Sequence, residues 1–250
     1  MRKHLPNFIT LLNLAGGLVA VIGVFINQVW LTAGAIAFSL LMDFLDGMVA
    51  RLLGVSSPIG KELDSLADNV SFGVVPALAM ARMIAEANGN TFPPNMQSLF
   101  EWLWLVPGLL ISLFATLRLA KFNLDTRQGD VFYGVPTPAM TMLVISLWII
   151  LGPQSGHWLA VALNKSWILV VISLALCGLM VADVKLLALK VKHLRWSGNQ
   201  FRYLLLIGSL ALLLIFKLIA IPFIFLLYLA LSLLANRLEP QASTGPDQHV

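Results

Sequence analysis

Asp43-Phe44-Leu45-Asp46-Gly47-Met48-Val49-Ala50-Arg51, followed by Gly60, Asp64 and Asp68, places four carboxylates within apolar sequence. A carboxylate at membrane depth costs several kcal/mol unless something compensates it. One arginine cannot offset four acids. A pair of divalent cations can, and two cations held between facing helices suit phosphate chemistry. Asp43, Asp46, Gly47 and Ala50 fall at i, i+3, i+4 and i+7, which is one stripe of a helix. Gly60, Asp64 and Asp68 are spaced by four and form a second stripe. Residues 52–59 carry turn chemistry (Gly54, Ser56, Ser57, Pro58) and reverse the chain. The spacing therefore predicts two antiparallel helices facing each other with two acids apiece.

Working outward, the rest of the chain has the composition of a membrane protein. Of 250 residues, 59% are hydrophobic and 11% charged, with a mean hydropathy of +0.88. The expected fold is all-α, a polytopic transmembrane helical bundle of about eight spans, in which a six-span core is followed by two C-terminal helices. The spans are expected at roughly 8–27, 30–52, 61–84, 100–123, 136–152, 164–183, 201–217 and 219–236. Lys217 and Pro222 divide the last apolar stretch, either as a tight hairpin or as one span plus an interfacial piece. Residues 1–236 read as one integral membrane domain, and 237–250 as a polar, disordered cytoplasmic tail.

Asn7, Thr10 and Asn13 interrupt the first apolar stretch and argue for a retained first helix rather than a signal peptide. Basic residues collect in alternate connections: Arg51 and Lys61, Lys121 and Arg127, then Lys185, Lys190, Lys192, Arg195 and Arg202. Arg2, Lys3 and Arg237 fall on the same side, and Arg82, Lys165 and Lys217 on the other. This bias predicts that both termini and the aspartate hairpin face the cytoplasm. Trp102, Trp104, Trp148, Trp158, Trp167 and Trp196 lie near span ends and read as interfacial anchors. The single cysteine, Cys177, reads as a small buried hydrophobe. A net charge of +4 without a basic patch excludes a nucleic-acid binder. A cation or proton transporter is the competing class, but the second half carries no matching acidic site.

Hard oxygen ligands favour Mg²⁺ or Mn²⁺, with Ca²⁺ as a further candidate, over zinc. Bound to a pyrophosphate, two such ions offset its charge while an alcohol attacks phosphorus and a carboxylate takes the proton. Asp68, the deepest acid on its stripe, is the candidate base. Arg51 can hold a phosphate through a forked hydrogen bond.

The complete pattern, Asp43 to Asp68 with Gly47, Ala50, Arg51 and Gly60 in place, resembles the signature of the CDP-alcohol phosphatidyltransferases. The flanking text is similar to the membrane-integral (type II) phosphatidylserine synthase branch of that family. It comprises Leu5-Pro6-Asn7 through Asn13, Glu62 through Ala77, Leu117 through Asn123, and Phe132 through Pro138. The likeness runs from about residue 5 to 195, with Val135 standing where leucine is usual.

The resemblance implies that Asp43, Asp46, Asp64 and Asp68 bind two cations, Asp43 and Asp64 bridging both, and that Asp68 is catalytic. It implies CDP-lipid contacts from Asn7, Thr10, Gly47, Ala50, Arg51, Ser57 and Gly60. It further implies CDP-diacylglycerol and L-serine as substrates, CMP as the leaving product, membrane lipid as surroundings and a homodimer. A zwitterionic acceptor needs a cation for its carboxylate. Arg118 and Lys121, with Ser71 and Asn123, are the candidates for serine or phosphate binding. The alternative acceptors are glycerol 3-phosphate or an inositol phosphate.

Overall fold

A computed structural model describes residues 4–55, 57–94, 99–125, 131–152, 158–187 and 199–238. Arg2, Lys3, Arg127, Lys190, Lys192, Arg195, Trp196 and the tail from 239 lie outside the described residues.

The chain divides into two units. The first contains α1 (Leu5–Phe25), α2 (Val29–Leu52), α3 (Pro58–Asn69), a π turn (Val70–Val74), α4 (Val75–Ala87), α5 (Leu99–Leu124), α6 (Thr137–Leu151), the short α7 (Trp158–Leu163) and α8 (Ser166–Val181). Helices α1 and α2 form a tight antiparallel hairpin. Asn27, with φ of 57°, makes the left-handed step between them, a conformation asparagine tolerates better than most residues. The two helices touch through small and hydroxyl residues. A β-carbon on Gly16 would lie 2.4 Å from Ser39 Oγ, and one on Gly23 would lie 2.4 Å from Thr32 Oγ1. The two contacts keep one antiparallel register. Close backbone approach of this kind is how helices associate where no water drives them together.

The third predicted span is one continuous rod of 30 residues, Pro58–Ala87, but it is not α-helical throughout. The π turn arises where Pro76, lacking an N–H, cannot bond the Phe72 carbonyl. Thr141 Oγ1 on α6 donates to that carbonyl at 3.1 Å instead. Helices α4 and α5 cross closely at Gly108, where a β-carbon would lie 2.6 Å from the Ala81 backbone nitrogen.

The second unit contains β1 (Val131–Tyr133), β2 (Lys185–Leu187), α9 (Gln200–Phe216), one 3₁₀ turn (Lys217–Ile219) and α10 (Ala220–Leu238). The strands pair antiparallel with Phe132 opposite Leu186. Ser232 Oγ on α10 accepts from the Leu187 N–H at 3.2 Å, and Asn236 donates to the Lys185 carbonyl. Lys217, with φ of 52°, turns the chain between α9 and α10. Pro222 sits harmlessly in the first turn of α10, and α9 packs against α10 across the turn.

Among the described residues, five helices are long and apolar enough to cross a membrane: α1, α2, the Pro58–Ala87 rod, α5 and α10. Helices α6, α8 and α9 are apolar but shorter. Phe8, Leu18, Ile22 and Phe44 face outward, while Asn13, Thr32, Ser39 and Ser71 are wholly buried. This polarity is the reverse of a soluble protein's and suits lipid surroundings. Cys177 is buried as expected. Four features depart from the sequence reading. The two short strands and α7 were not foreseen. Trp148 is 3% exposed and packs inside α6's contacts rather than anchoring an interface. Helix α10 continues through Arg237 and Leu238, which the sequence reading gives to the tail.

Candidate active site

The acidic hairpin is built by local chemistry. Gly54, with φ of 60°, ends α2 in a left-handed cap. The Val55 N–H reaches the Ala50 carbonyl at 3.0 Å and the Gly54 N–H the Arg51 carbonyl at 3.2 Å, which closes a Schellman motif. Ser57, extended before Pro58, starts α3, and its Oγ accepts from the Gly60 N–H at 3.0 Å. Helix α1 packs against both α2 and α3, and the acids of the two stripes converge.

One carboxylate oxygen from each of Asp43, Asp64 and Asp68 lies within 4.8 Å of the others. Asp46 stands near enough to add its charge to the field at Asp43, Asp64 and Asp68. Two of the four acids are steadied from α1. Thr10 Oγ1 donates to Asp46 Oδ2 at 2.5 Å and also reaches the Pro6 carbonyl. Asn13 Nδ2 donates to Asp68 Oδ1 at 3.0 Å. Asp64 Oδ1 is buried with no hydrogen-bond partner among the described residues. An orphaned carboxylate oxygen beside two further acids fits a hard divalent cation, as does the all-oxygen donor set.

A cavity of about 510 Å³ adjoins the cluster. Asn7, Thr10, Asp46, Gly47, Ala50, Arg51, Ser57, Gly60 and Asp64, all expected at the site, line it together with Pro6, Gly54, Val55 and Lys61. Gly47 and Gly60 keep it open. A β-carbon at Gly47 would stand 3.6 Å from the Arg51 guanidinium, and one at Gly60 would press on Ser57 Oγ and Asn7 Oδ1.

The residues expected for the acceptor are less unified. Arg118 is buried on α5, donates to Thr137 Oγ1 at 3.4 Å and lies over the Phe122 ring. Asn123 Nδ2 donates to Ser65 Oγ at 2.7 Å, and its carbonyl accepts from Lys61 Nζ at 3.1 Å. Lys121 is exposed. Ser71 faces α1 instead: it is wholly buried and its hydroxyl donates to the Asn13 carbonyl at 3.1 Å. Its partner carbonyl, which also accepts from Ser39 Oγ, is on the neighbouring helix. Asn69 and Thr116 form a further polar pair, Thr116 Oγ1 donating to Asn69 Oδ1 at 2.7 Å. Asn13 and Lys61 are polar residues at the site that the sequence reading left out. The signal for Asn13 was available, because Asn7, Thr10 and Asn13 recur every third residue on one helix.

The family model for CDP-alcohol phosphatidyltransferase matches residues 3–177, a range that holds the acidic hairpin and most of the first unit. A Helicobacter pylori protein named CDP-diacylglycerol–serine O-phosphatidyltransferase is 30% identical over 82% of this chain and 80% of its own length. Proteins of the same name from Mycobacterium leprae and Bacillus subtilis are 34% and 32% identical. These matches cover 66% of this chain and 53% of the first protein, and 58% of this chain and 75% of the second. With its acids gathered at one cavity and the family model spanning more than half its length, the chain belongs to the CDP-alcohol phosphatidyltransferase family.

Proposed function

We propose that this protein transfers the phosphatidyl group of CDP-diacylglycerol to L-serine and releases CMP. The observation that carries the reading is the meeting of Asp43, Asp64 and Asp68 beside a cavity lined by Arg51. The names of the relatives, all serine O-phosphatidyltransferases, support the choice of acceptor.

Asp43, Asp46, Asp64 and Asp68 would hold two divalent cations, Mg²⁺ or Mn²⁺. When bound, these supply charge neutralisation for the pyrophosphate and for the departing CMP. Everything else falls to the chain's own residues. Arg51 binds a phosphate oxygen of the donor, and Gly47, Ala50 and Gly60 leave the donor room against the helix backbones. Asn7, Thr10 and Ser57 line the nucleotide side of the same cavity. The serine hydroxyl oxygen attacks the phosphorus that bears diacylglycerol. The new P–O bond forms as the bond to the CMP oxygen breaks, and the hydroxyl proton passes to Asp68. Arg118 meets the acceptor's carboxylate, with Asn123 and Lys121 nearby on α5.

The same reading puts the cavity and both termini on the cytoplasmic face of the inner membrane, because basic residues such as Arg51, Lys61 and Lys121 collect in alternate connections of the sequence. It treats the chain through Leu238, where α10 ends, as the membrane domain, and the working unit as a homodimer. A panel of labelled alcohols with CDP-diacylglycerol tests the proposal. L-serine should be consumed with stoichiometric CMP. Turnover of glycerol 3-phosphate or an inositol phosphate, but not serine, would overturn the acceptor. Ion flux in sealed vesicles without donor consumption would overturn the chemistry.

A further inference from the structure

Asn13 is wholly buried on α1, one turn beyond Thr10. Its main chain and its side chain face different duties. The main-chain carbonyl accepts from Ser39 Oγ at 2.9 Å and from Ser71 Oγ at 3.1 Å. Those hydroxyls come from α2 and from the π turn, so both limbs of the acidic hairpin are pinned to this one peptide. Gly16 and Gly17 make the approach possible, since a β-carbon on either would lie 2.4 Å from one of these hydroxyls. Helix packing at Asn13 is thus served by its backbone, and any residue type would provide it.

The side chain has another partner. Nδ2 donates to Asp68 Oδ1 at 3.0 Å, while Oδ1 of Asn13 is buried with no partner among the described residues. The amide turns its nitrogen toward Asp68 and leaves its own oxygen unmatched. Leaving a buried amide oxygen unsatisfied is unfavourable. An asparagine selected for packing would not carry that cost, because an apolar residue of the same size avoids it.

We propose that Asn13 is a positioning residue for the transfer reaction: it ties down one oxygen of Asp68 and so presents the other to the acceptor hydroxyl. The proposal rests on the reading of Asp68 as proton acceptor. It also divides the four acids by support. Asp46 and Asp68 each take one side-chain donor from α1, whereas no side chain among the described residues donates to Asp43 or Asp64.

The test is Asn13→Leu, close to isosteric and without the amide, with Asn13→Ala as the second variant should leucine prevent folding. Asp68→Asn is the reference, and Ser39→Ala is the packing control. Steady-state kinetics on purified protein are read beside thermal unfolding. Asn13→Leu should lower kcat by about 10–100-fold, the usual effect of removing a group that orients a reacting one. The KM for CDP-diacylglycerol should stay unchanged, and the folded yield normal. Ser39→Ala should melt lower and keep its kcat. Wild-type kcat in Asn13→Leu alongside an inactive Asp68→Asn would overturn the role of Asn13 alone. A raised KM with kcat retained would likewise overturn it, by moving Asn13 to the donor site. Activity in Asp68→Asn would instead overturn the reading of the base on which this rests.

Discussion

Gly17 and Ser71 touch across the α1 and π-turn interface so closely that a β-carbon on Gly17 would lie 2.4 Å from the serine Oγ and 3.1 Å from its Cα. No rotamer of Ser71 relieves the second contact, because Cα belongs to the backbone. Gly17→Ala should therefore force the helices apart, costing about 1–3 kcal/mol as overpacked cores do. Gly34, where a β-carbon meets nothing within 4 Å, is the control. Thermal unfolding in detergent should separate Gly17→Ala from Gly34→Ala by several degrees.

The acidic cluster makes an unusual prediction about stability without ions. Three carboxylates with oxygens within 4.8 Å repel one another when nothing lies between them. In EDTA, Asp43→Asn should melt above the unsubstituted protein. Added Mn²⁺ or Mg²⁺ should raise the melting point of the unsubstituted protein and restore its turnover. It should do neither for Asp43→Asn or Asp64→Asn. A loss of folded protein in these variants under EDTA would contradict the site as described.

Gly47 allows catalysis and stability to be set against each other. An alanine there would stand 3.6 Å from the Arg51 guanidinium, an ordinary contact, so nothing clashes. Alanine in place of a mid-helix glycine favours the helix by about 1 kcal/mol. The added methyl nevertheless enters the cavity where the donor's phosphates would lie. Gly47→Ala should melt no lower than the unsubstituted protein and show a raised KM for CDP-diacylglycerol.

Arg82 offers the converse case, stability without catalysis. It is buried on α4, donates to the Val24 carbonyl at 2.8 Å at the end of α1, and pairs with Glu86 at 2.7 Å. It thereby supplements the Asn27 N–H, which reaches the same carbonyl at 3.3 Å, in a last turn short of intrahelical donors. Arg82→Met keeps the aliphatic bulk and removes the charged donor. The expected loss is about 1.5–3 kcal/mol of stability, read by chemical or thermal unfolding. The kcat per folded molecule should be unchanged, as Arg82 is on none of the cavity's walls.

The acidic hairpin was legible in the sequence because its information is local. Four acids at helical spacing around Gly54, Ser57 and Pro58 determine which faces meet, and the structure brings Asp43, Asp64 and Asp68 together accordingly. The helix positions were legible for the same reason, since apolar runs interrupted by turn residues leave few other partitions. What escaped was pairwise and non-local. Whether Ser71 faces the cavity or α1 depends on the π turn, which depends in turn on Pro76 and on Thr141 some seventy positions further along. Arg82 read as a charge near a span end, yet its guanidinium also reaches the Val24 carbonyl on α1. Trp148 read as an interfacial ring, and only the surrounding helices make it interior. The strands β1 and β2 are three residues long and pair across more than fifty, too short to leave a periodicity.

The five residues Val70–Val74 also act as a clutch within a single rod. One residue more or fewer in an α-helix turns everything beyond it by about 100°. Deleting one residue from this segment should restore uniform winding and swing Asp64 and Asp68 away from Asp43 while the far half stays seated. Loops elsewhere in the chain can absorb an insertion, but in this segment the count of residues sets the aim of the acids.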